Sequence, residues 1–339
     1  MITRAGVDLG GTKIQTVIID EGHAVIGQTR VPTPKDGGPQ GVADAIVATI
    51  RDACGQAGIE PSTLIGIGVG APGSIDQANG TVTQAPNVTP DWTGSFPLAA
   101  AIGGAFGDAT VRLGNDVNVG TEAEFHLGAG REFDTLLGVF WGTGVGGGII
   151  LHGQAWSGRG AAGEIGHIVV KMGGATCTCG RIGCLEAYAG RKAMELHARE
   201  LHEKGRNTKL FKIMEKAGRE SLSRGVWQKA LEREDELAIE LIERAIDALA
   251  AGIASAVNLL DVEAVVIGGG LGTRLGEPYV AKIRERMLPH LFVDEHPPAV
   301  RLAALGDLGG AIGAALQIPV TTITPGLAPA APGSLPQPS

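Results

Sequence analysis

The sequence predicts an α/β protein built from two related α/β domains that face each other. A strand, Gly-Thr turn, strand unit over Val7–Ile19 recurs at Leu136–Leu151, and such self-similarity points to a duplicated unit. Apolar runs of strand length occur among longer segments of helical period, the pattern of an α/β chain. At 339 residues and 44% hydrophobic content, the chain is long enough and apolar enough for two domains.

The elements follow in order. Ala5–Leu9 reads as a strand, Gly10–Gly11 as a turn and Ile14–Ile19 as the returning strand. Gly41–Ala57 places Val42, Ile46, Ile50 and Ala53 at helical spacing, with Cys54 beside them as an ordinary core residue. Leu64–Val69 is a buried strand that ends in the loop Gly70-Ala71-Pro72-Gly73. Val111–Leu113 is a short strand that stops at Gly114-Asn115-Asp116, with a helix expected near Val119–His126. Leu136–Trp141, a glycine turn over Gly142–Gly148 and Ile149–Leu151 then repeat the opening pattern. Residues 191–235 are charged and helical, with Phe211, Met214 and Trp227 as buried anchors. The longest helix spans Leu237–Leu260, where Ile242, Ile246, Leu249, Ile253, Val257 and Leu260 step by three or four. Ala264–Ile267 is a strand running into Gly268-Gly269-Gly270, and Leu308–Leu316 is a final, closely packed helix. From Pro319 the chain turns to Pro, Ala, Gly and Ser, so residues 320–339 read as a disordered tail.

A net charge of −8 gives no support for a nucleic-acid surface. No apolar signal core and no long uncharged span is present, which predicts no membrane association and a cytoplasmic location. Cysteines there stay reduced and available to metal.

Glu164–Glu186 is the densest chemical segment. It sets His167 ahead of Cys177, Cys179 and Cys184, with an acid at either end. Four N and S donors suffice for a tetrahedral Zn²⁺ and leave no open position, so the metal is expected to be structural. Gly180 and Gly183 allow the tight bend this spacing demands. A disulfide is the weaker rival, because any pairing leaves an odd thiol.

Two glycine loops look suited to phosphate. Asp8-Leu9-Gly10-Gly11-Thr12-Lys13 offers backbone N–H groups, a hydroxyl, and in Asp8 an oxygen donor for water-bridged Mg²⁺. Gly142-Thr143-Gly144-Val145-Gly146-Gly147-Gly148 is a second such loop. Neither fits a Walker A or dinucleotide fingerprint, and a single glycine turn is commonly just a hairpin turn. That two occur, each after a strand and each with Thr, favours phosphate. Gly269 and Gly270, between a strand and a helix, are candidates for facing a nucleoside.

Asn115 and Asp116 lie between a strand and a helix, where either helix capping or function explains them. Asn87 sits in Ala85-Pro86-Asn87-Val88, which also reads as a plain turn. Glu164 and His167, three apart, share a face on a helical turn, and Glu186 closes the metal segment. Either acid alone reads as solvated. Together these donors and acceptors suit a polyhydroxy ligand.

Taken in order, DLGGTK, APN, ND, GTGVGGG, EIGH, CTCGRIGCLE and VVIGGG resemble the ROK family of sugar kinases and repressors, from about Val7 to Ala315. The metal segment fits that family's H-x9-C-x-C-G-x2-G-C-x-E throughout. The resemblance implies the actin-like ATPase fold, two ribonuclease H-like α/β domains around a central cleft. Residues 1–116, joined by the final helix at 308–318, would form one domain and residues 117–307, with the zinc loop, the other. It implies a catalytic role for Asp116 and sugar-hydroxyl contacts from Asn87, Asn115, Asp116, Glu164, His167 and Glu186. His167 would serve zinc through one ring nitrogen and sugar through the other. Phosphate and Mg²⁺ contacts would fall to Asp8, Gly10, Gly11, Thr12, Lys13, Thr143 and Gly144, and the adenosine side to Gly269 and Gly270. The implied activity is transfer of the γ-phosphoryl group of MgATP to the 6-hydroxyl of glucose. N-acetylglucosamine, mannose or fructose stand as alternative substrates and polyphosphate as an alternative donor. A homodimer is also implied. Repressors of this family carry a helix-turn-helix ahead of the phosphate motif, whereas here that motif begins at Asp8, which favours the kinase. One departure is Gly114, where many family kinases carry a Glu read as supporting rather than catalytic.

Overall fold

The computed structural model describes residues 1–320 except Asp108 and Asp294. An antiparallel meander opens the chain: β1 (Thr3–Leu9), β2 (Lys13–Ile19) and β3 (Val25–Pro32). Helix α1 (Gly38–Ala57) buries Val42, Ile46, Ile50 and Ala53, the face its spacing predicts. Cys54 is wholly buried there, and burial pushes its thiol up to about 11, which makes it an inert core residue. β4 (Leu64–Ala71) then pairs parallel with β1. A small separate sheet follows, of β5 (Ser74–Asp76), β6 (Thr81–Thr83) and β7 (Ser95–Phe96), and after it α2 (Leu98–Gly103). β8 (Val111–Asn115) completes a sheet of order β3-β2-β1-β4-β8.

Helix α3 (Asp116–Leu127) leads into the second half, which begins with β9 (Leu136–Trp141), β10 (Val145–Leu151) and β11 (Gln154–Ala155). The metal segment comes next, then α4 (Glu186–Ala189), α5 (Arg191–Glu203), α6 (Leu210–Lys216), α7 (Arg224–Leu231) and α8 (Glu236–Leu260). β12 (Ala264–Gly268), α9 (Gly269–Leu275), α10 (Glu277–Met287), β13 (Ala299–Leu302) and α11 (Gly309–Leu316) close the described chain. The second sheet has the order β11-β10-β9-β12-β13. In both sheets an antiparallel three-strand meander is extended by two parallel strands on its first strand, so the two halves share one topology. α11 crosses back onto β1, β2 and β4, where Ala311 and Ala315 pack with Val17 and Ile19. No helix among the described residues is long and apolar enough to cross a membrane.

Two expectations need correction, and a third is untested. The glycine turn at Gly142–Gly148 is only three residues long, because β10 already begins at Val145. Its glycines lie within the strand to let α3 approach: a Cβ on Gly148 would come within 2.2 Å of Thr121 Oγ1. Trp227 is fully buried as expected, but Phe211 and Met214 are only half-buried, and Leu210 and Ile213 fill the core instead. Phe211 serves as a platform, with the Arg199 guanidinium 5.3 Å above its ring. The tail expected at 320–339 lies, apart from Val320, outside the described residues.

Candidate active site and metal loop

The two halves meet at α3. Its start is capped by Asn115, whose Oδ1 accepts from the backbone N–H groups of Val117 (3.1 Å) and Asn118 (3.3 Å). Asp116 is therefore not the cap. It is the first helical residue, and its Oδ1 accepts from Val117 N at 3.0 Å. Burial pushes the Asp116 carboxyl up to about 6, with the charges of Asp8 and Glu164 adding to the rise. Asp8, at the end of β1, is raised too, first by burial. Thus the strand ends of the first sheet bring two acids from distant sequence positions into one electrostatic unit.

The first glycine loop is a tight hairpin. Gly10 N donates to Lys13 O at 2.9 Å, and Thr33 Oγ1 donates to Gly10 O at 2.6 Å. The Asn87 backbone lies over Gly11, so close that a Cβ there would come within 2.4 Å of Asn87 O. Lys35 ties the arrangement together by donating to the carbonyls of Gly11 and Val88. Thr12 is exposed at the tip, and Lys13 turns toward Asp307 (3.9 Å). Asn87 thus sits beside the phosphate-type loop, and among the described residues its side chain bonds to none of the other candidate sugar residues.

In the second half, Gly142 and Gly144 close a short turn, with Gly142 N donating to Gly144 O at 2.9 Å. A Cβ on Gly142 would lie 3.8 Å from Gly270 N, so this loop and the Gly268–Gly270 turn form one edge. Gly269, with φ near +81°, packs on the Trp141 backbone and allows that closeness. Thr143 Oγ1 accepts from Arg191 at 2.9 Å.

His167 and the cysteines converge on one point. The four donor atoms of His167, Cys177, Cys179 and Cys184 all lie within 4.8 Å of one another. His167 Nδ1 stands 3.9 Å from Cys177 Sγ, and Cys179 Sγ 3.9 Å from Cys184 Sγ. A zinc tetrahedron with bonds of about 2.3 Å has sulfur–sulfur edges of about 3.8 Å, close to the two 3.9 Å separations, and a modest contraction of the remaining donors would complete it. Gly180 and Gly183 take φ near +84°, as the tight loop demands. Burial pushes Cys184 up to about 11 and raises Cys177, whereas a hydrogen bond from the Arg181 backbone brings Cys179 down to about 6. Three sulfurs this close resist joint ionisation unless a cation compensates them, and a His-Cys₃ set fits zinc.

The other face of His167 looks away from the sulfurs: Nε2 is 3.9 Å from Glu164 Oε2. Glu186 is no solvated acid. Its Oε2 accepts from Val145 N (2.8 Å) and its Oε1 from Thr178 Oγ1 (3.3 Å), so it joins the metal loop to the second glycine loop. Beside this ring of groups lies an open cleft of about 890 Å³, shared by the two halves and bordered by Asn115 and Glu164.

Several residues escaped sequence reasoning. Asp307 bridges Lys13 and Arg30 of the first half to Arg224 of the second (3.1 Å). Glu124, buried in α3, accepts from the backbone N–H groups of Ala129, Ala304 and Leu305, each at 2.9 Å, and pins the chain where it returns to the first half. No local motif marks either; only their tertiary partners do.

Two sheets of one topology, with paired glycine loops and acids at their facing edges, define the actin-like ATPase fold. Within it, the chain belongs to the ROK family, whose pattern matches residues 4–319. It is 34% identical over 290 residues to a glucokinase from Thermotoga maritima, covering 84% of this chain and 87% of the relative. It is 30% identical over 322 residues to N-acetyl-D-glucosamine kinase from Escherichia coli, covering 91% and 97%. The crystal structure of a ROK family glucokinase from Streptomyces griseus, in complex with glucose and AMPPNP, superposes with a TM-score of 0.78 at 31% identity, covering 93% and 98%.

Proposed function

We propose that this chain is an ATP-dependent glucokinase that phosphorylates the 6-hydroxyl of glucose. The observation that carries the reading is Asp116, a carboxylate at the junction of the two halves, pushed up to about 6 and so poised to take a proton near neutral pH. Relatives named glucokinase, at 30–34% identity over most of the chain, support the substrate. On this reading Asp116 accepts the hydroxyl proton while the sugar oxygen attacks the γ-phosphorus. Asn87, Asn115, Glu164, His167 and Glu186 hold sugar hydroxyls. Asp8, Gly10, Gly11, Thr12, Lys13, Thr143 and Gly144 serve phosphate and metal, and Gly269 and Gly270 line the adenosine side.

Mg²⁺ bound with ATP would neutralise phosphate charge, and Asp8 would hold it through water. Zn²⁺ held by His167, Cys177, Cys179 and Cys184 would fix His167 and the loop that carries Glu186. Most of the rate comes from positioning and charge neutralisation. Residues 1–116 with the helix at 308–318, and residues 117–307, act as lobes that close on sugar and exclude water as a competing acceptor. A cytoplasmic homodimer completes the proposal.

A second reading, N-acetylglucosamine kinase, is favoured by the Escherichia coli relative and by the open volume beside Glu164. One experiment separates them: coupled ADP release over glucose, N-acetylglucosamine, mannose and fructose, with ATP or polyphosphate as donor. The highest kcat/KM for glucose with ATP upholds the proposal, and any other order replaces it.

A further inference from the structure

The cleft is larger than its proposed sugar contacts require, and most of it lies to one side of them. Of Asn87, Asn115, Asp116, Glu164, His167 and Glu186, only Asn115 and Glu164 border the 890 Å³ cavity. Its remaining walls mix polar side chains with Ile75, Ile149, Ile150 and Trp156. Asn115, Asn118 and Glu122 stand at i, i+3 and i+7 on α3, so they form one stripe facing it. From Asn118 to Glu122 the stripe runs about 6 Å along the helix, roughly the width of one pyranose ring.

Gly114 also lines the cavity. A Cβ there would lie 2.6 Å from Val119 Cγ1 and 2.9 Å from the side-chain amide of Gln317, so Val119 and Gln317 together occupy the space that a side chain at 114 would take. Gln317 and Glu122 both line the cavity. Trp156, 47% exposed, and the hairpin residues Asp76 and Gln77 line the same cavity. An exposed indole sharing a cavity with amides and carboxylates is a natural surface for carbohydrate: the ring stacks on the C–H face while the polar groups take hydroxyls.

Resting on the glucokinase reading, we propose that Asn118, Glu122, Gln317 and Trp156 form an outer subsite for a second pyranose ring. The enzyme would then phosphorylate disaccharides whose reacting glucose carries that ring on the side facing Glu164. The chemistry is unchanged: the 6-oxygen forms a bond to the γ-phosphorus of MgATP, the bond from that phosphorus to ADP breaks, and the hydroxyl proton passes to Asp116.

The test uses the full chain and a panel of glucosyl-glucose disaccharides of different linkage, with glucose and N-acetylglucosamine alongside. At least one disaccharide should be turned over with kcat/KM within about tenfold of glucose. Trp156→Ala should lower that value by about tenfold or more, the loss expected when an aromatic anchor is removed, while glucose moves less than about twofold. Glu122→Gln should act in the same direction. Calorimetric titration of the same disaccharide gives a readout independent of turnover, and the Trp156→Ala loss should appear there as weakened binding. If glucose is phosphorylated but no disaccharide binds or reacts, the subsite is refuted while the glucokinase reading survives. Activity on N-acetylglucosamine alone would also refute it, by assigning the space to a smaller substituent. If no hexose reacts yet a disaccharide binds in a Trp156-dependent way, the subsite stands and the glucokinase reading falls.

Discussion

Replacing Asp116 with Asn tests the site more sharply than any other change. The amide keeps the size of the carboxylate and can still accept from Val117 N, which the native side chain does at 3.0 Å. The helix start is not disturbed either, because Asn115 caps it. What disappears is proton acceptance, so kcat should fall by about 10²–10⁴-fold, the usual contribution of a positioned base. The structure adds a second, opposite effect. The carboxyl titrates near 6 in the fold against 3.8 in its ordinary state, chiefly because burial disfavours its charge. A raised acid favours the fold while protonated, and that advantage is present below about pH 4 and lost as pH rises through 6. Two units amount to at most about 3 kcal/mol of destabilisation in the native protein above pH 7, less whatever water in the cleft screens. Asn carries no charge at any pH, so the variant should match the wild type in Tm at pH 4 and exceed it at pH 8. The wild-type kcat/KM should fall tenfold per pH unit below about 6. Turnover and Tm are measured on the same preparations across pH 4–8. Near-native turnover by Asp116→Asn would refute the catalytic role, and a Tm difference independent of pH would refute the electrostatic argument.

The remaining expectations are briefer. Cys177→Ser should abolish stoichiometric zinc in metal analysis and weaken glucose binding in calorimetry, because His167 and Glu186 lose a fixed support; a zinc-free variant that binds glucose normally would contradict this. Glu124→Gln should lower stability in urea by about 1.5–3 kcal/mol, since one amide oxygen must replace a carboxylate that accepts from three backbone N–H groups. Asp307→Ala should make nucleotide KM more salt-dependent, because Lys13, Arg30 and Arg224 lose the carboxylate between them.

How much of this was legible in the sequence depended on whether a residue's meaning was local. The His-Cys₃ cluster was legible because all its donors lie within eighteen residues of one another and the chemistry of the set is specific. The duplicated strand, turn, strand unit was legible for the same reason. Glycine, by contrast, was ambiguous. Gly142 and Gly144 make the turn that the sequence suggested, but Gly146–Gly148 belong to β10, where Gly146 and Gly148 are small because α3 lies across them and Gly147 because Gly163 and Ile165 press on the other face. No window of sequence around residue 148 contains Thr121. Asn115 and Asp116 were ambiguous in another way, since capping and catalysis favour the same residue types. Only hydrogen-bond geometry divides the two roles, giving Asn115 the cap.

Glu124, Asp307 and Glu122 mark the limit of such reading. Each sits in a helix or turn where a charged residue reads as solvated surface. Glu124 meets Ala304 and Leu305 across 180 and 181 residues, and Asp307 meets Arg224 across 83. These contacts gather where the chain crosses between its two sheets, which is where two lobes closing on a ligand must either bend or hold firm. A carboxylate gripping three backbone amides holds firm, since releasing it would strand a buried charge. An acid shared among three at least partly exposed cations can exchange partners at small cost. The crossing therefore combines a rigid joint at Glu124 with an adjustable one at Asp307. Lobe motion should accordingly hinge on the Asp307 side, next to the first glycine loop, and leave the Glu124 side fixed.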